Sequence, residues 1–580
     1  MRRLLTALLL LSAAPVSAAP ADDLAAVIRE HWAWAVRIDP GLATEVGDHS
    51  GDGKLSDPSL AEADREAATA AGFIARLDRI DAAALPPADR VNRAILRRLL
   101  ATQVEGNAFG QRAMTFTTYS GWHTGFAGSP DREPLLTKAD YVSYIDRLAA
   151  YPAFNRAEIA VTRTALAQGY AQPCVPLQGF EKSISAHIVP AVEQSVFWRP
   201  FARARPAAIA AADWPELQAR ARTLIMASVV PAYAELLDFY THDYAPHCRA
   251  TVGIGDTPGG AGYYAYRARA ETTTALTPDA IHKIGLAEVA RIGAAMDKVA
   301  TDAGYKDRAA FVAHMRTDPS FYARTPQELL DKSATVAKSI DAWLPRLIGR
   351  LPRLPFSLKA IPADQAEGTT TAYSEPGSVA NGRAGVYYVN TTHLDQRPLF
   401  ELPALTLHEA APGHQTQLSL QQELDLPEFR KHLVTFTAFV EGWALYSESL
   451  GEEMGLYDTP EKRMGRYSYE MWRACRLVVD TGIHVQGWSR DRAIDYMLAN
   501  TALSRHNVEA EVNRYITWPG QALGYKIGEL TIKRLRAKAE TTLGPRFDER
   551  AFHDAVLGNG PVPMDVLEAQ IDAWIAARKG

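Results

Sequence analysis

The residues best suited to chemistry lie in two short segments rich in histidine and acidic residues. The segment 406–415 reads TLHEAAPGHQ and contains His408, Glu409 and His414, and Glu441 follows in VEGWALYSE. Two imidazoles and a distant acid can supply the three protein ligands of a catalytic zinc site, which leaves a fourth position open for water. The sequence therefore predicts that His408, His414 and Glu441 bind zinc.

The spacing of the two histidines requires an interrupted helix. His408 and His414 are separated by about 600° of rotation on a regular α-helix, so they cannot reach one ion from an unbroken turn. Pro412 and Gly413 lie between them, and a proline inside a helix removes a hydrogen bond and clashes with the preceding turn. We expect a break there that returns both imidazoles to one point.

The neighbouring acids receive different predicted roles. Glu409 is expected to take a proton from water and pass it to the leaving group, as a general base that is not a ligand. Glu448 lies two turns beyond Glu441, so it is either a ligand or a residue that orients one by a hydrogen bond. Histidines elsewhere, such as His31 and His282, are predicted to be structural.

The N-terminal residues 1–19 have the pattern of a secretory signal peptide. Arg2 and Arg3 precede an apolar run, and Val16 to Ala18 ends in the small residues of a cleavage site. We expect export to the periplasm or the medium. No cysteine lies at the cleavage point, so a lipid anchor is not indicated, and no later run has the ~18 apolar residues of an integral membrane segment.

Composition limits the class of protein only broadly. A chain of 580 residues is too long for one small core, so two lobes or a large helical body are expected. The net charge of −5 becomes −7 when Arg2 and Arg3 are removed with the signal, which argues against a nucleic-acid partner. The oligomeric state is left open.

Three cysteines are too few for a disulfide scaffold. Cys174 and Cys248 lie in loop-like sequence and can pair in an oxidising compartment, whereas Cys475 lies in a helical run. Three unpaired structural cysteines are the alternative, because partner choice cannot be read from sequence.

The body of the chain is predicted to be mostly helical. Apolar residues three and four apart recur along it, and Thr277-Pro278-Asp279 has the cap, proline and acid of a helix start. Glycines in 253–262, GIGDTPGGAG, interrupt this pattern and predict a hinge between an N-terminal helical lobe, 20–252, and a C-terminal catalytic lobe, 263–580. A phosphate-binding loop is the weaker alternative, since no Gly-Lys-Ser/Thr follows.

A strand is predicted shortly before the histidine segment. Ala384 to Thr391, AGVYYVNT, is β-branched and aromatic and follows a turn-rich stretch. An edge strand beside the metal would pair with an extended peptide through backbone hydrogen bonds. An ordinary buried strand of a hairpin is the alternative.

Five sequence motifs resemble one bacterial family. They are HEAAPGHQ, EGWALYSE, VDTGIHVQGWS, RYITWPGQALGYKIG and TTTALTPDAIHKIGL. Together they resemble the family of the domain of unknown function numbered 885, over most of the chain that remains after signal cleavage. That family looks like a distant relative of the helical gluzincin peptidases, which include thimet oligopeptidase, angiotensin-converting enzyme and thermostable carboxypeptidases.

The resemblance implies a gluzincin-like, mostly α fold with a deep cleft and a small β-sheet beside the metal helix. It also implies the metal ligands and the base named above. Relatives place a Tyr or His over the oxyanion, which makes Tyr515, Tyr525 and His484 candidates for that donor. For each tyrosine, a core position with its hydroxyl satisfied is the alternative.

The expected function is that of a secreted zinc metallopeptidase acting on short peptides. The alternatives are a catalytically silent peptide-binding or scaffold protein of the same fold, and a zinc hydrolase of other amides or esters. Endopeptidase or exopeptidase character is left open. Four cationic residues are candidates for binding a substrate carboxylate, with a structural ion pair as the alternative for each: Arg473, Arg476, Arg514 and Lys526.

Overall fold

The structure is a computed structural model. It describes residues 20–579 except 119, 363–365, 367–368 and 380–381. The predicted signal peptide, residues 1–19, lies outside the described residues. The prediction of a mostly α-helical chain with a small β-sheet is confirmed.

The helices that precede the sheet lie between residues 20 and 347. They are α1 (Pro20–Ile38), α2 (Pro40–Glu45), α3 (Leu60–Asp78), α4 (Pro87–Asn107), α5 (Trp122–Ala127), α6 (Ser129–Arg132), α7 (Lys138–Ala167), α8 (Glu181–Ser185), α9 (Arg199–Ala202), α10 (Trp214–Leu224), α11 (Val230–Phe239), α12 (Gly260–Thr272), α13 (Pro278–Asp302), α14 (Arg308–Thr317), α15 (Pro326–Asp341) and α16 (Leu344–Leu347). The predicted start of α13 is confirmed, since the Thr277 side chain accepts a hydrogen bond from the Ala280 N–H.

The sheet has three strands, β1 (Phe356–Ala360), β2 (Ala372–Glu375) and β3 (Gly385–Val389), in the order β1-β3-β2. β3 pairs with β1 in parallel and with β2 antiparallel. The strand predicted from Ala384 to Thr391 is therefore the central one, and its interpretation as an edge strand is wrong. β1 and β2 are the two edge strands of this sheet. The four residues of β2 are too short a run to stand out in the sequence.

The helices after the sheet contain the predicted site residues. They are α17 (Leu402–Glu409), α18 (His414–Glu423), α19 (Glu428–His432), α20 (Thr437–Leu450), α21 (Pro460–His484), α22 (Arg490–Asn500), α23 (Arg505–Thr517), α24 (Leu523–Leu543), α25 (Glu549–Leu557) and α26 (Met564–Lys579). α20 packs along α24, and α21 packs along α13.

Two large hydrophobic cores organise the described residues. One core runs through α5, α7, α10 and α11. The other joins α1, α3 and α4 to α17, α20 and α21, so the first helices pack with the site-bearing half although the sequence placed them in an N-terminal lobe. The lobe boundary at 253–262 stays a prediction.

The cysteines follow one of the two predicted arrangements. Cys174 and Cys248 form a disulfide, and Cys475 is a buried free thiol. Among the described helices, the stretch Trp214–His247 alone is long and apolar enough to cross a membrane by length and composition. Tyr233, Leu236 and other residues of this stretch lie in a hydrophobic core.

Candidate metal centre

The predicted helix break between the two histidines is confirmed. α17 ends at Glu409 and α18 begins at His414, and the residues that flank the break, Ala410 and Gly413, have non-helical ψ angles of −110° and −127°. A Cβ atom on Gly413 would lie 2.0 Å from the carbonyl oxygen of His408. Only glycine allows this close return of the backbone.

The break is held from two sides. The indole Nε1–H of Trp443 donates to the carbonyl oxygen of Pro412 at 2.8 Å, and the N–H of Gln415 donates to the carbonyl of Ala410 at 3.0 Å. Trp443 lies on α20, two residues after Glu441. The helix that supplies the predicted third ligand therefore also fixes the segment between the first two.

Glycines let α20 and α24 approach closely. A Cβ atom on Gly442 would lie 2.6 Å from backbone atoms of Gly528, and one on Gly528 would lie 1.8 Å from the carbonyl oxygen of Ala438. Larger side chains would force the helices apart. The crossing brings Glu441 on α20 into electrostatic reach of Tyr525 on α24.

The structure brings His408, His414 and Glu441 together. Oε2 of Glu441 lies 3.4 Å from Nε2 of His408 and 3.2 Å from Nε2 of His414, and the three ligand atoms are within 4.8 Å of one another. Ligands about 2.0–2.1 Å from a tetrahedral ion are about 3.4 Å apart. The donor set and its spacing thus fit zinc.

The residues of this cluster shift one another's pKa values. Burial alone would raise the pKa of Glu441, but the imidazoles of His414 and His408 hold the pKa well below its usual range. Burial lowers the pKa of His408, and hydrogen bonds to Glu441 and Glu448 outweigh it and raise the pKa to about 9. A cation at this site therefore competes with a proton on His408, as is usual for histidine ligands.

Glu448 lies on the other side of the His408 ring. Its Oε1 is 2.8 Å from Nδ1 of His408, and the Nη2 of Arg473 lies 3.1 Å from the same oxygen. Since Nε2 faces Glu441, this geometry leaves Nε2 for a cation while Glu448 accepts the Nδ1 proton. Of the two roles left open by the sequence, the structure has Glu448 in the orienting position. The contribution of Arg473 was missed, because nothing local in the sequence links it to Glu448.

His414 has a different partner. The amide Nε2 of Gln417 lies 3.1 Å from Nδ1 of His414 and donates to the Val440 carbonyl at 2.7 Å. In this arrangement the ring proton is on Nε2 and faces Glu441. Binding of a cation through Nε2 requires the other tautomer, with Oε1 of Gln417 turned towards the ring to accept its proton.

Glu409 lies beside the cluster without being part of it. It is 8% exposed, and its backbone oxygen accepts a 2.6 Å hydrogen bond from the Ser374 hydroxyl on β2. Its side-chain Oε2 has no hydrogen-bond partner among the described residues. Glu409 acts electrostatically on His408 and Tyr387. A buried carboxylate oxygen without a partner, next to the ligands, is suited to accept a proton from water.

Of the three candidates for an oxyanion donor, Tyr525 lies at the cluster. Its ring is nearly parallel to that of His408, with planes at 10° and centroids 6.3 Å apart. Burial raises the pKa of Tyr525, Glu441 raises it further, and Arg476 opposes the shift. The phenol is therefore a protonated hydrogen-bond donor at neutral pH.

The structure gives Tyr515 a fully occupied hydroxyl. It donates to Glu511 at 2.6 Å and accepts from Nε of Arg476 at 3.0 Å and Nε1 of Trp472 at 2.9 Å. Tyr515 is one of the largest fully buried side chains. These contacts agree with the alternative given for Tyr515, a core position in which the hydroxyl group is satisfied.

His484 has no ring nitrogen left to donate. Its Nδ1 accepts a hydrogen bond from the Ile254 N–H, and its Nε2 lies 3.0 Å from the Tyr515 carbonyl oxygen. Burial lowers its pKa to about 4. His484 instead lines a cavity of about 780 Å³ together with Asp256 and Trp488. The structure does not bring it to the metal cluster as a free donor.

Comparison with known proteins identifies the family. Residues 40–571 match the family described as "Bacterial protein of unknown function (DUF885)". The match covers most of the chain, so the protein belongs to this family, and the predicted family resemblance is confirmed. None of the curated proteins compared with the chain matches it.

Two solved structures share the fold. A protein described as "the putative lipoprotein from Colwellia psychrerythraea" is 27% identical, with a TM-score of 0.87 over 96% of this chain and 100% of that one. Another, described as "a putative lipoprotein of unknown function from Shewanella oneidensis", is 18% identical, with a TM-score of 0.66 over 95% of this chain and 99% of that one. The second likeness concerns the fold alone.

Proposed function

We propose that this protein is an extracytoplasmic zinc-dependent metallopeptidase that hydrolyses short peptides. One observation carries the proposal: His408, His414 and Glu441 converge at the spacing of a tetrahedral site, with the unpartnered carboxylate of Glu409 beside them. Three ligands and an adjacent base are the parts of a hydrolytic zinc centre.

Each residue has a defined task in this mechanism. His408, His414 and Glu441 would hold a zinc ion, which would supply a Lewis acid for the scissile carbonyl and for the attacking water. Glu409 takes one proton from the attacking water as the new C–O bond forms, and delivers it to the amine nitrogen as the C–N bond breaks. The Tyr525 hydroxyl donates a hydrogen bond to the carbonyl oxygen as negative charge develops on it.

The edge of the sheet supports a peptide as substrate. The N–H of Asn390 donates to the Thr371 carbonyl, so in the alternating antiparallel pattern the backbone groups of Ala372 and Ser374 point away from β3. The Ser374 hydroxyl also binds the backbone of Glu409. An extended peptide paired with this edge would run past the metal cluster, with affinity from main-chain hydrogen bonds.

The restriction to short peptides and the distant relationship to gluzincins rest on the resemblance in sequence motifs. His408 and His414 are six residues apart, unlike the four of the H-E-x-x-H motif. In H-E-x-x-H a regular helix places both imidazoles on one face. Here the helix break at Pro412 and Gly413 brings the two imidazoles together instead. A gluzincin-like deep cleft is part of this proposal.

An extracytoplasmic location follows from two indications. The N-terminal residues have the composition of a secretory signal, and the relative from Colwellia psychrerythraea, which is 27% identical, is described as a putative lipoprotein. The disulfide between Cys174 and Cys248 agrees with an oxidising compartment. We propose a periplasmic or secreted protein.

A peptide library tests the function. The purified, zinc-loaded protein is incubated with a mixed peptide library, and the products are identified by mass spectrometry, with the Glu409→Gln variant as matched control. Peptide fragments from the wild type alone support a peptidase. Hydrolysis of simple esters or non-peptide amides with no peptide cleavage would make the chain a hydrolase of another class, and no hydrolysis would favour a binding or scaffold protein.

A further inference from the structure

Behind Tyr525 lies a buried guanidinium with an unused hydrogen-bond donor. Arg476 on α21 is 3% exposed, and its CZ atom lies 4.1 Å from the centroid of the Tyr525 ring. Its Nε donates to the Tyr515 hydroxyl and its Nη2 to Glu511. The remaining terminal nitrogen, Nη1, has no partner among the residues that the structure describes.

The other three cations considered from the sequence differ in this respect. Lys526 contacts three carboxylates within 3.1 Å, which use its three N–H groups. Both terminal nitrogens of Arg473 are bound, by Glu448 and by the Tyr469 carbonyl. Those of Arg514 are bound as well, by Gln521 and Glu511. Of these four cations, Arg476 is the one with a terminal nitrogen that lacks a partner among the described residues.

The acid that Arg476 binds is shared with a second arginine. Arg476 and Arg514 both donate to the carboxylate of Glu511. A buried cation that lacks its full complement of partners is costly unless an anion approaches it.

The guanidinium of Arg476 has neighbours that reach the surface. Tyr525, whose ring it contacts, and Arg514, which shares Glu511 with it, each keep 8% exposure. Tyr525 contacts the guanidinium and also lies beside His408. An anion held by Nη1 would therefore lie next to the reacting centre, and a planar carboxylate suits a guanidinium better than a spherical ion does.

We propose that Arg476 anchors a carboxylate of the peptide substrate, its C-terminal carboxylate, which makes the enzyme a carboxypeptidase-type peptidase. This inference rests on the proposed peptidase function. Binding of this carboxylate by Arg476 determines which peptide bond lies at the metal cluster. Cleavage should therefore occur at a fixed short distance from the C-terminus. A carboxylate on an Asp or Glu side chain is the other source of the same chemistry.

Two versions of one peptide library distinguish a C-terminal carboxylate from a side-chain carboxylate as the group that Arg476 binds. One version has free C-terminal carboxylates and the other has C-terminal amides. The wild type should cleave the free acids about 10- to 100-fold faster, the scale of losing one charge-assisted hydrogen bond. Cleavage of amides confined to peptides that contain Asp or Glu would assign the anchor to side chains. Equal rates for both versions, without preference for acidic peptides, would contradict carboxylate binding by Arg476. The proposed peptidase function would be unaffected by that result.

Matched variants assign the effect to Arg476. Arg476→Lys keeps the positive charge but replaces three separate nitrogens, which face Tyr515, Glu511 and the ligand, with a single one on a shorter side chain, so the preference for free acids should fall towards unity. Arg466→Lys is the control, since Arg466 is also buried on α21 but pairs with Glu470. Zinc content and Tm check that both variants fold. An unchanged preference in a folded Arg476→Lys variant would contradict the assignment.

A binding measurement distinguishes failure of the anchor from failure of the peptidase proposal. The Glu409→Gln variant is mixed with both library versions, and peptides retained on ultrafiltration are identified by mass spectrometry. Retention of free acids over amides without any cleavage by the wild type would support the anchor and reject the peptidase. Absence of selective retention together with absence of cleavage would reject both.

Discussion

Oε1 of Glu448 lies 2.8 Å from Nδ1 of His408, on the opposite side of the imidazole from the Glu441 carboxylate. A carboxylate in this position fixes the tautomer that leaves Nε2 free and raises the basicity of the ring. The arrangement makes Glu448 a positioning residue for a predicted ligand.

The Glu448→Gln variant should therefore bind zinc more weakly without losing its fold. We expect zinc affinity to fall by about 10- to 100-fold, the usual effect of losing such a partner. Competition with a coloured chelator measures the affinity, and far-ultraviolet circular dichroism checks the fold. Wild-type affinity in a folded variant would show that His408 does not depend on Glu448.

The three predicted ligands should each be required for metal. Ala substitution at His408, His414 or Glu441 should reduce zinc content from about one per chain to a small fraction, because two ligands do not hold a catalytic ion. Elemental analysis after dialysis measures this, with His242→Ala, an exposed position, as control. Full occupancy in the His414→Ala variant would place the second ligand elsewhere.

Tyr525 and Tyr515 should respond differently to loss of the hydroxyl. Tyr525→Phe should lower kcat by about 10² or more with little change in KM, since one oxyanion donor is lost. Tyr515→Phe should instead lower Tm, because Arg476, Trp472 and Glu511 each lose a buried partner. Normal kcat in Tyr525→Phe with a large loss in a stable Tyr515→Phe would reverse the assignment.

His484 should make folding sensitive to acid. Its pKa is about 4 in the folded protein, below its ordinary value of 6.5, so between these pH values the unfolded chain binds a proton that the folded chain does not. Stability from this group is complete above pH 6.5 and falls by up to about 1.4 kcal/mol per pH unit as the pH decreases towards 4.

The His484→Gln variant tests this dependence. Glutamine can accept from Ile254 and donate to Tyr515 without titrating. The decrease in Tm between pH 6.5 and 4.5, measured by calorimetry, should be smaller in the variant than in the wild type by a few degrees. Equal decreases would show that His484 is not held neutral by its two backbone contacts.

Local patterns in the sequence were sufficient for several features. Thr277 and Pro278 indicate the start of α13, and Pro412 and Gly413 indicate the break between α17 and α18. Each depends on the conformational preferences of a few neighbouring residues. The same break predicts that the imidazoles of His408 and His414 meet, and they do meet in the structure, whereas metal binding by them and by Glu441 stays a prediction.

Other features depend on contacts between distant parts of the chain. Ile254 approaches His484, and Arg473 approaches Glu448, only after the helices have packed. The occupied ring of His484 and the occupied hydroxyl of Tyr515 therefore could not be read from spacing. β2 was missed because four residues carry little periodicity, and its pairing with β3 made the predicted edge strand a central one.

Glu409→Gln tests the central claim most directly. Its carboxylate is proposed to move protons without binding the metal, so the amide should preserve shape, zinc content and Tm while removing the base. Peptide hydrolysis by the zinc-loaded variant should fall by about 10³ or more relative to wild type. Unchanged hydrolysis with zinc still bound would contradict the account, and loss of zinc would make Glu409 a ligand instead.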